Sequence, residues 1–264
     1  MLLAVDAGNT HTVVGLFDGD ELVDHWRIAT NADRTSDEHA LLVSQFLAQH
    51  GSGFDEVTGV VVSSTVPRLT AVLRELAQRY LRVAPVVLEP GTRSGIPILY
   101  DNPRQVGPDR IANAVAAWDS YGGPTIMVDF GTATTVDAVS AKGEYLGGAI
   151  LPGIEISLDA LFARAAALSW VDLAGVGTGG AGTAKPRRVI GKTTAESVQS
   201  GVLYGFAAAV DGLVRRFEAE LGECTVVSTG GLAELMTPLS STIQHHEPWL
   251  TLRGLRLIHA MNTT

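Results

Sequence analysis

The chain has 264 residues, 46% of them apolar and 18% charged, enough apolar material for a sizeable core and the wrong composition for a disordered chain. Its formal charge of −9 repels a phosphate backbone, which argues against nucleic-acid binding. A single cysteine, Cys224, leaves no internal disulfide or Cys-rich metal site, no apolar run reaches the length of a bilayer span, and the apolar start at residues 1–5 meets Asp6 too early for a signal sequence, so a cytoplasmic protein with no membrane partner is expected.

Taken in chain order, residues 2–5 (Leu-Leu-Ala-Val) are a short β-rich run ending at Asp6-Ala7-Gly8-Asn9-Thr10-His11-Thr12. Val13-Val14-Gly15-Leu16-Phe17 form a second run, so the stretch reads as strand, tight turn and returning strand. Thr35-Ser36-Asp37-Glu38 reads as a capping box, with Leu41, Leu42, Gln45 and Phe46 following on helical spacing. Residues 60–65 (Val-Val-Val-Ser-Ser-Thr) read as a buried strand before a helix. The polar segment 100–110 leads into a helix beginning near Ile111, where Ile111, Ala114, Val115 and Trp118 recur at i, i+3, i+4 and i+7.

The pattern then repeats. Residues 125–128 (Thr-Ile-Met-Val) end at Asp129-Phe130-Gly131-Thr132-Ala133-Thr134-Thr135, and Val136-Asp137-Ala138-Val139 return. Residues 225–230 (Thr-Val-Val-Ser-Thr-Gly) echo 60–65. Between them, residues 174–185 hold five glycines and read as a mobile surface loop, and 194–221 read as a helix with Val198, Val202, Phe206, Val210, Leu213 and Phe217 facing inward. Two echoes in the same order predict two related lobes, and strands alternating with helices predict α/β architecture. The division expected is 1–117 and 118–264, with the last helix free to pack back toward the first lobe.

Two Asp-x-Gly turns facing each other across a cleft would expose successive backbone N–H groups that grip a polyphosphate, while an aspartate holds Mg²⁺ through water. Asp-Gly and Asn-Thr are also ordinary hairpin residues, so the matched pair carries the expectation and neither turn alone does. Asp109 stands where a helix N-cap would stand, and an aspartate there can also accept a proton from an alcohol in phosphoryl transfer. Arg110 could bind a substrate carboxylate. Tyr100 has a packing reading, and Asn102-Pro103 a turn reading.

Other strings have bland explanations. Gly191-Lys192-Thr193 looks like the end of a phosphate loop, but Pro186 occupies the position of its first glycine. Gly177-x-Gly179-x-x-Gly182 matches a dinucleotide fingerprint without opening a helix. His245-His246 lacks a third metal ligand and reads as a solvated pair. Cys224 reads as core, and Trp26, Trp118, Trp170 and Trp249 as packing or interface residues.

With those residues in view, the sequence resembles the type III pantothenate kinases of the acetate/sugar kinase–Hsp70–actin superfamily. The resemblance rests on Asp6-Ala7-Gly8-Asn9-Thr10, Tyr100-Asp101-Asn102-Pro103, Gly107-Pro108-Asp109-Arg110, Asp129-Phe130-Gly131-Thr132-Ala133-Thr134, Gly147-Gly148-Ala149-Ile150-Leu151-Pro152-Gly153, Ile190-Gly191-Lys192-Thr193-Thr194 and Thr229-Gly230-Gly231. It implies two ribonuclease H-like lobes with a cleft between them and ATP-dependent phosphorylation of the primary hydroxyl of pantothenate, the first step toward coenzyme A. It also implies roles. The first turn (Asp6, Ala7, Gly8, Asn9, Thr10, His11, Thr12 and Val13) would hold ATP phosphates, with Asp6 near Mg²⁺. Asp109 would be the general base, and Tyr100, Gly107, Pro108, Arg110 and Thr194 would line the pantothenate pocket. Asp129 would hold a monovalent cation, K⁺ or NH₄⁺, Thr132 would contact phosphate, and Gly147, Gly148 and Gly153 would let backbone approach adenosine. A homodimer is implied as well.

The chain departs from that pattern in the length of 174–185, in Trp170, and in Thr193 where asparagine is common. Two other functions compete: a regulatory homologue of the same fold, like the Bvg accessory factor group, and a kinase acting on another small alcohol. Retention of Asp6, Asp109, Arg110 and Asp129 together argues against a silent copy.

Overall fold

The β-rich runs flanking the first Asp-x-Gly form strands β1 (Leu2–Ala7) and β2 (His11–Asp18), paired antiparallel, and β3 (Glu21–Ala29) continues the meander. On the other side of β1 lie two parallel strands, β4 (Gly59–Ser64) and β5 (Val86–Val87), giving the order β3-β2-β1-β4-β5. Val60, Val61 and Val62 are all buried, as a valine run in a parallel strand covered on both faces should be. Helices α1 (Ser36–His50) and α2 (Pro67–Leu76) set Ala40, Val43, Leu47, Leu69 and Leu73 into one core with Leu3, Val5, Val60 and Val62. The capping box read from the sequence starts α1: Thr35 Oγ1 accepts from Glu38 N at 3.3 Å, and Glu38 Oε2 accepts from Thr35 N at 2.8 Å.

This computed structural model describes residues 1–165 and 189–263. The chain divides into two compact units, Met1–Ser120 with Trp249–Thr264, and Tyr121–Pro248. The last helix, written α7 (Leu250–Thr263) in chain order, thus lies with the first sheet, against β1 and β4. Three small residues make room for its face. A Cβ on Gly15 would lie 2.7 Å from Leu252 Cδ1, one on Gly59 would lie 2.7 Å from His259 Nε2, and one on Gly254 would lie 1.9 Å from Ala112 O. Ala112 belongs to α3 (Pro108–Tyr121), so α3 and α7 touch backbone to backbone.

The second unit holds β6 (Thr125–Phe130), β7 (Ala133–Val139), β8 (Tyr145–Pro152), β9 (Thr225–Thr229) and β10 (His245–His246), in the order β10-β9-β6-β7-β8. From the opposite edge, β8-β7-β6-β9-β10 repeats both the order and the strand directions of the first sheet. The sequence echoes fall on the matched strands, β1 with β6 and β4 with β9. Helices α4 (Ile154–Arg164), α5 (Thr194–Leu221) and the short α6 (Ala233–Met236) cover this sheet, closing a core of Ile126, Val128, Phe130, Leu203, Val210 and Val226.

Helix α5 spans the predicted 194–221. Val202 and Val210 are buried, with Leu203, Ala207 and Val214, and Val198, Phe206, Leu213 and Phe217 pack at the core's edge. Cys224 is 3% exposed, and burial, with the Glu218 carboxylate adding to it, pushes its thiol pKa up, away from a reactive thiolate. Trp26 stacks on Phe46 at 5.2 Å and Trp249 lies against His25 at 3.9 Å. Trp170 and the glycine-rich 174–185 lie outside the described residues.

Candidate active site

In the first hairpin Asp6 stands opposite Val13 and Ala7 opposite Thr12, leaving Gly8, Asn9 and Thr10 as the turn. Gly8 N donates to His11 O at 3.0 Å. A residue just past β3 straps the turn from the side. Thr30 N donates to Thr10 O at 2.9 Å, Thr30 Oγ1 donates to Gly8 O at 2.7 Å, and that hydroxyl lies 2.8 Å from Thr12 Oγ1. Thr12 is 1% exposed, so its hydroxyl ties the turn internally, while Asn9 and Thr10 form the exposed tip. His11 Nδ1 lies 2.9 Å from the Arg27 guanidinium, which can only donate, so Nδ1 is the acceptor and the ring proton sits on Nε2.

The polar segment 100–110 becomes two turns in series. Asn102 Oδ1 accepts from Arg104 N at 3.2 Å and opens a short 3-10 turn at Pro103–Gln105. Helix α3 then begins at Pro108, since proline is already set for the first helical position. Ile111 N donates to Gly107 O at 3.2 Å, so Gly107 is the cap and Asp109 falls inside the first turn, a correction to the N-cap reading. Asp109 is half-buried, and its Oδ1 accepts from Arg110 N at 2.9 Å. A Cβ on Gly107 would lie 2.4 Å from that same Oδ1, so the bare glycine leaves the space the carboxylate occupies. Arg110 is 7% exposed and Tyr100 half-buried.

The second hairpin has Asp129 opposite Thr135 and Phe130 opposite Thr134. Its turn, Gly131-Thr132, is one residue shorter than the first. The repeated string lines Thr12 up with Thr135, but the strand register matches Thr12 to Thr134 and Val13 to Thr135. A cradle surrounds Asp129: a Cβ on Gly131 would lie 3.3 Å from its Oδ1, and one on Gly230, at φ +96 just past β9, would lie 2.4 Å away. The position matching Thr30 is Gly153, just past β8, where a Cβ would lie 2.1 Å from Thr132 O and 2.9 Å from Gly131 O. A hydroxyl straps the first turn, whereas the second closes down on bare glycine. Thr134 and Thr135 both keep buried hydroxyls without a hydrogen-bond partner among the described residues.

Gly147 and Gly148 do not join Gly153. They pair with Ala138 and Asp137 at the far end of β8, where a Cβ on Gly148 would lie 2.5 Å from Asp137 Oδ1. Tyr145, fully buried, donates its hydroxyl to that oxygen at 2.7 Å.

Thr194 opens α5 and lines a cavity of about 730 Å³ with Ser157, Leu158, Leu161, Lys192 and Phe206. The Gly191-Lys192-Thr193 string is explained here. Glu196 Oε2 accepts from Lys192 N at 2.7 Å and from Thr193 N at 3.2 Å, while Thr193 Oγ1 accepts from Glu196 N at 3.2 Å. The amides that a phosphate loop would aim at a nucleotide are taken by this chain's own carboxylate. Elsewhere His245 stacks on Tyr121 at 4.8 Å, and both histidines of the pair are exposed. Among the described residues no three His, Cys, Asp or Glu side chains are grouped to hold a metal ion.

Three residues beside the turns have no role assigned from the sequence: Thr30, Gly230, which stands in the Thr229-Gly230-Gly231 motif, and Thr135, which ends the second Asp-x-Gly string. Thr30 and Gly230 reach their turns only through the sheet. Thr135 was hidden by the one-residue difference between the hairpins.

Known proteins are similar to this chain throughout. The sequence profile described as type III pantothenate kinase matches residues 2–216. A type III pantothenate kinase of Streptomyces avermitilis is 53% identical over 274 residues, covering 99% of this chain and 98% of that protein. Among solved structures, component A of the (R)-2-hydroxyglutaryl-CoA dehydratase of Acidaminococcus fermentans has a TM-score of 0.56 at 18% identity, covering 98% of this chain and 96% of that one. The inorganic polyphosphate/ATP-glucomannokinase of Arthrobacter sp. strain KM has a TM-score of 0.50 at 13% identity, covering 98% of each chain. At those identities the likeness is one of fold alone, two α/β units of the same kind. With its profile and its relative matched at this length, the chain belongs to the type III pantothenate kinase family.

Proposed function

We propose that the chain transfers the γ-phosphoryl group of ATP to the primary hydroxyl of pantothenate, forming 4′-phosphopantothenate and ADP, with Asp109 as the base. One observation carries the assignment of Asp109: its carboxylate is held at the first turn of α3 by Arg110 N, against a glycine that leaves it room. As the substrate oxygen attacks the γ-phosphorus, its proton passes to Asp109, and the bond from phosphorus to the β–γ bridging oxygen breaks. Arg110, Tyr100, Gly107, Pro108 and Thr194 are assigned to pantothenate, and the exposed Asn9 and Thr10, with the amides of residues 6–13 and Thr132, to the ATP phosphates. Gly153 keeps Thr132 in place. Gly147 and Gly148, also assigned to adenosine, lie farther along β8, where a Cβ on Gly148 would meet Val136 O at 2.1 Å and Asp137 Oδ1 at 2.5 Å.

The residues present fit two cations. Asp6 is half-buried at the end of β1 beside the exposed tip, suited to Mg²⁺ held through water. Asp129 lies among Gly131, Gly230 and an unpartnered hydroxyl, suited to K⁺ or NH₄⁺. When bound, such cations offset the negative charge of the phosphates.

A cytoplasmic homodimer completes the reading. No helix among the described residues is long and apolar enough to cross a membrane, and Ile150, Ile156 and Ile190 are exposed on the second unit. The family match counts against the regulatory alternative. The deciding experiment measures ADP release with ATP and Mg²⁺, with and without pantothenate, in K⁺ and then in Na⁺ buffer. Pantothenate-dependent turnover that needs K⁺ is expected, and turnover indifferent to pantothenate would overturn the proposal.

A further inference from the structure

Buried hydroxyls are costly to leave unpaired, and folded proteins rarely do so. Thr135 Oγ1 is buried and has no partner among the described residues. Residues directly opposite on an antiparallel pair share a face with adjacent Cβ atoms, so Thr135 stands beside Asp129. In the matching place of the first hairpin, opposite Asp6, stands Val13. Valine and threonine have nearly the same shape, so the repeat keeps the volume and changes one methyl group into an oxygen. Among the described residues that oxygen makes no hydrogen bond to Asp129 or to any other group. The Asp129 carboxylate is also flanked by two glycines whose missing Cβ atoms leave space next to it.

We infer that Thr135 is a further ligand-bearing residue of the Asp129 site, giving an uncharged oxygen to the monovalent cation assigned there. The inference rests on that assignment. A large, weakly hydrated cation such as K⁺ exchanges its water for several protein oxygens, whereas Mg²⁺ keeps most of its shell. The paired hairpins divide along that line. Asp6 faces a methyl group and is left to act through water, and Asp129 faces a hydroxyl that can replace a water. Thr134 is the internal control, because its hydroxyl is equally buried and unpartnered but lies opposite Phe130, on the other face of the strand.

The test follows the melting temperature of the full chain, with ADP present, as KCl replaces choline chloride at constant ionic strength. Wild type, Asp129→Asn, Thr135→Val, Thr135→Ser and Thr134→Val are compared. The expected result is a saturable rise for wild type, no rise for Asp129→Asn, and a midpoint for Thr135→Val shifted to on the order of tenfold more KCl. Thr135→Ser and Thr134→Val should titrate like wild type. If Thr135→Val titrates like wild type while Asp129→Asn stays flat, the inference fails and the Asp129 assignment stands. If wild type shows no K⁺-specific rise, or Asp129→Asn responds like wild type, the assignment fails and takes the inference with it. Should Thr135→Val not fold, Thr135→Ala against Thr135→Ser decides, since a response equal in both would overturn the role of the hydroxyl.

Discussion

Gly153 and Thr132 sit so close that a Cβ on the glycine would fall 2.1 Å from the threonine carbonyl oxygen. The obstacle is backbone, which cannot swing aside as a side chain can. Gly153 has φ −66, so alanine suits its conformation, and only the collision opposes it. Gly153→Ala is therefore expected to push the Gly131-Thr132 turn away, to destabilise the protein by about 1–3 kcal/mol, and to raise KM for ATP. Thermal melts and ATP saturation curves check both effects. An unchanged KM would detach Thr132 from the phosphates.

The contrast between the two hairpins shows what was legible in the sequence. Strand runs, Asp-x-Gly turns and capping residues are local signals, and they gave both hairpins, the paired lobes and the limits of α5. Register is not local. One residue fewer in the second turn moves Thr135 from the place of Thr12 to the place of Val13, and a string comparison carries no sign of it. Thr30 and Gly230 reach the turns across the sheet, from neighbouring strands, so only folding reveals them. Asp109 misled for a different reason: aspartate is a common cap, but Pro108 is a stronger signal for the first helical position and moves the cap to Gly107. The two-residue β10 has no pattern to read.

Gly107 separates catalysis from stability. An added Cβ would meet the end of the Asp109 side chain, which can rotate away at little cost to the fold. Gly107→Ala, a poorer cap, should lose no more than about 1 kcal/mol of stability, while turnover falls far more, because the displaced carboxylate no longer receives the substrate proton. Asp109→Asn should lower kcat by about 10²–10⁴-fold and leave ATP binding intact. Normal turnover in Asp109→Asn would remove it as the base.

Neighbouring threonines at the head of α5 should behave differently. Thr193 is the cap, so Thr193→Val is expected to cost about 1 kcal/mol of stability. Thr194 lines the adjacent cavity and makes no cap, so Thr194→Val should raise KM for pantothenate with the melt unchanged. Denaturation midpoints and pantothenate saturation curves measured on both variants separate the two roles. Loss of stability in Thr194→Val would place it in the scaffold instead.

Asp211 supplies a pH dependence remote from the chemistry. Burial alone would raise its pKa, but hydrogen bonds from Ser240, Ser241 and Thr242 outweigh that and bring it down to about 2. Its carboxylate accepts from Ser240 Oγ at 2.5 Å, Ser241 Oγ at 2.6 Å and Thr242 Oγ1 at 2.8 Å, fixing the turn at 240–242 to α5. A folded-state pKa below the unfolded one means stability that is fully present above about pH 4 and is lost as pH falls toward 2. The contribution is about 2 kcal/mol by that linkage. Asp211→Asn should therefore be less stable than wild type at neutral pH, with the difference shrinking between pH 5 and pH 2. Urea unfolding at a series of pH values measures it, and a difference that does not change with pH would mean that the carboxylate's charge plays no part in holding the turn.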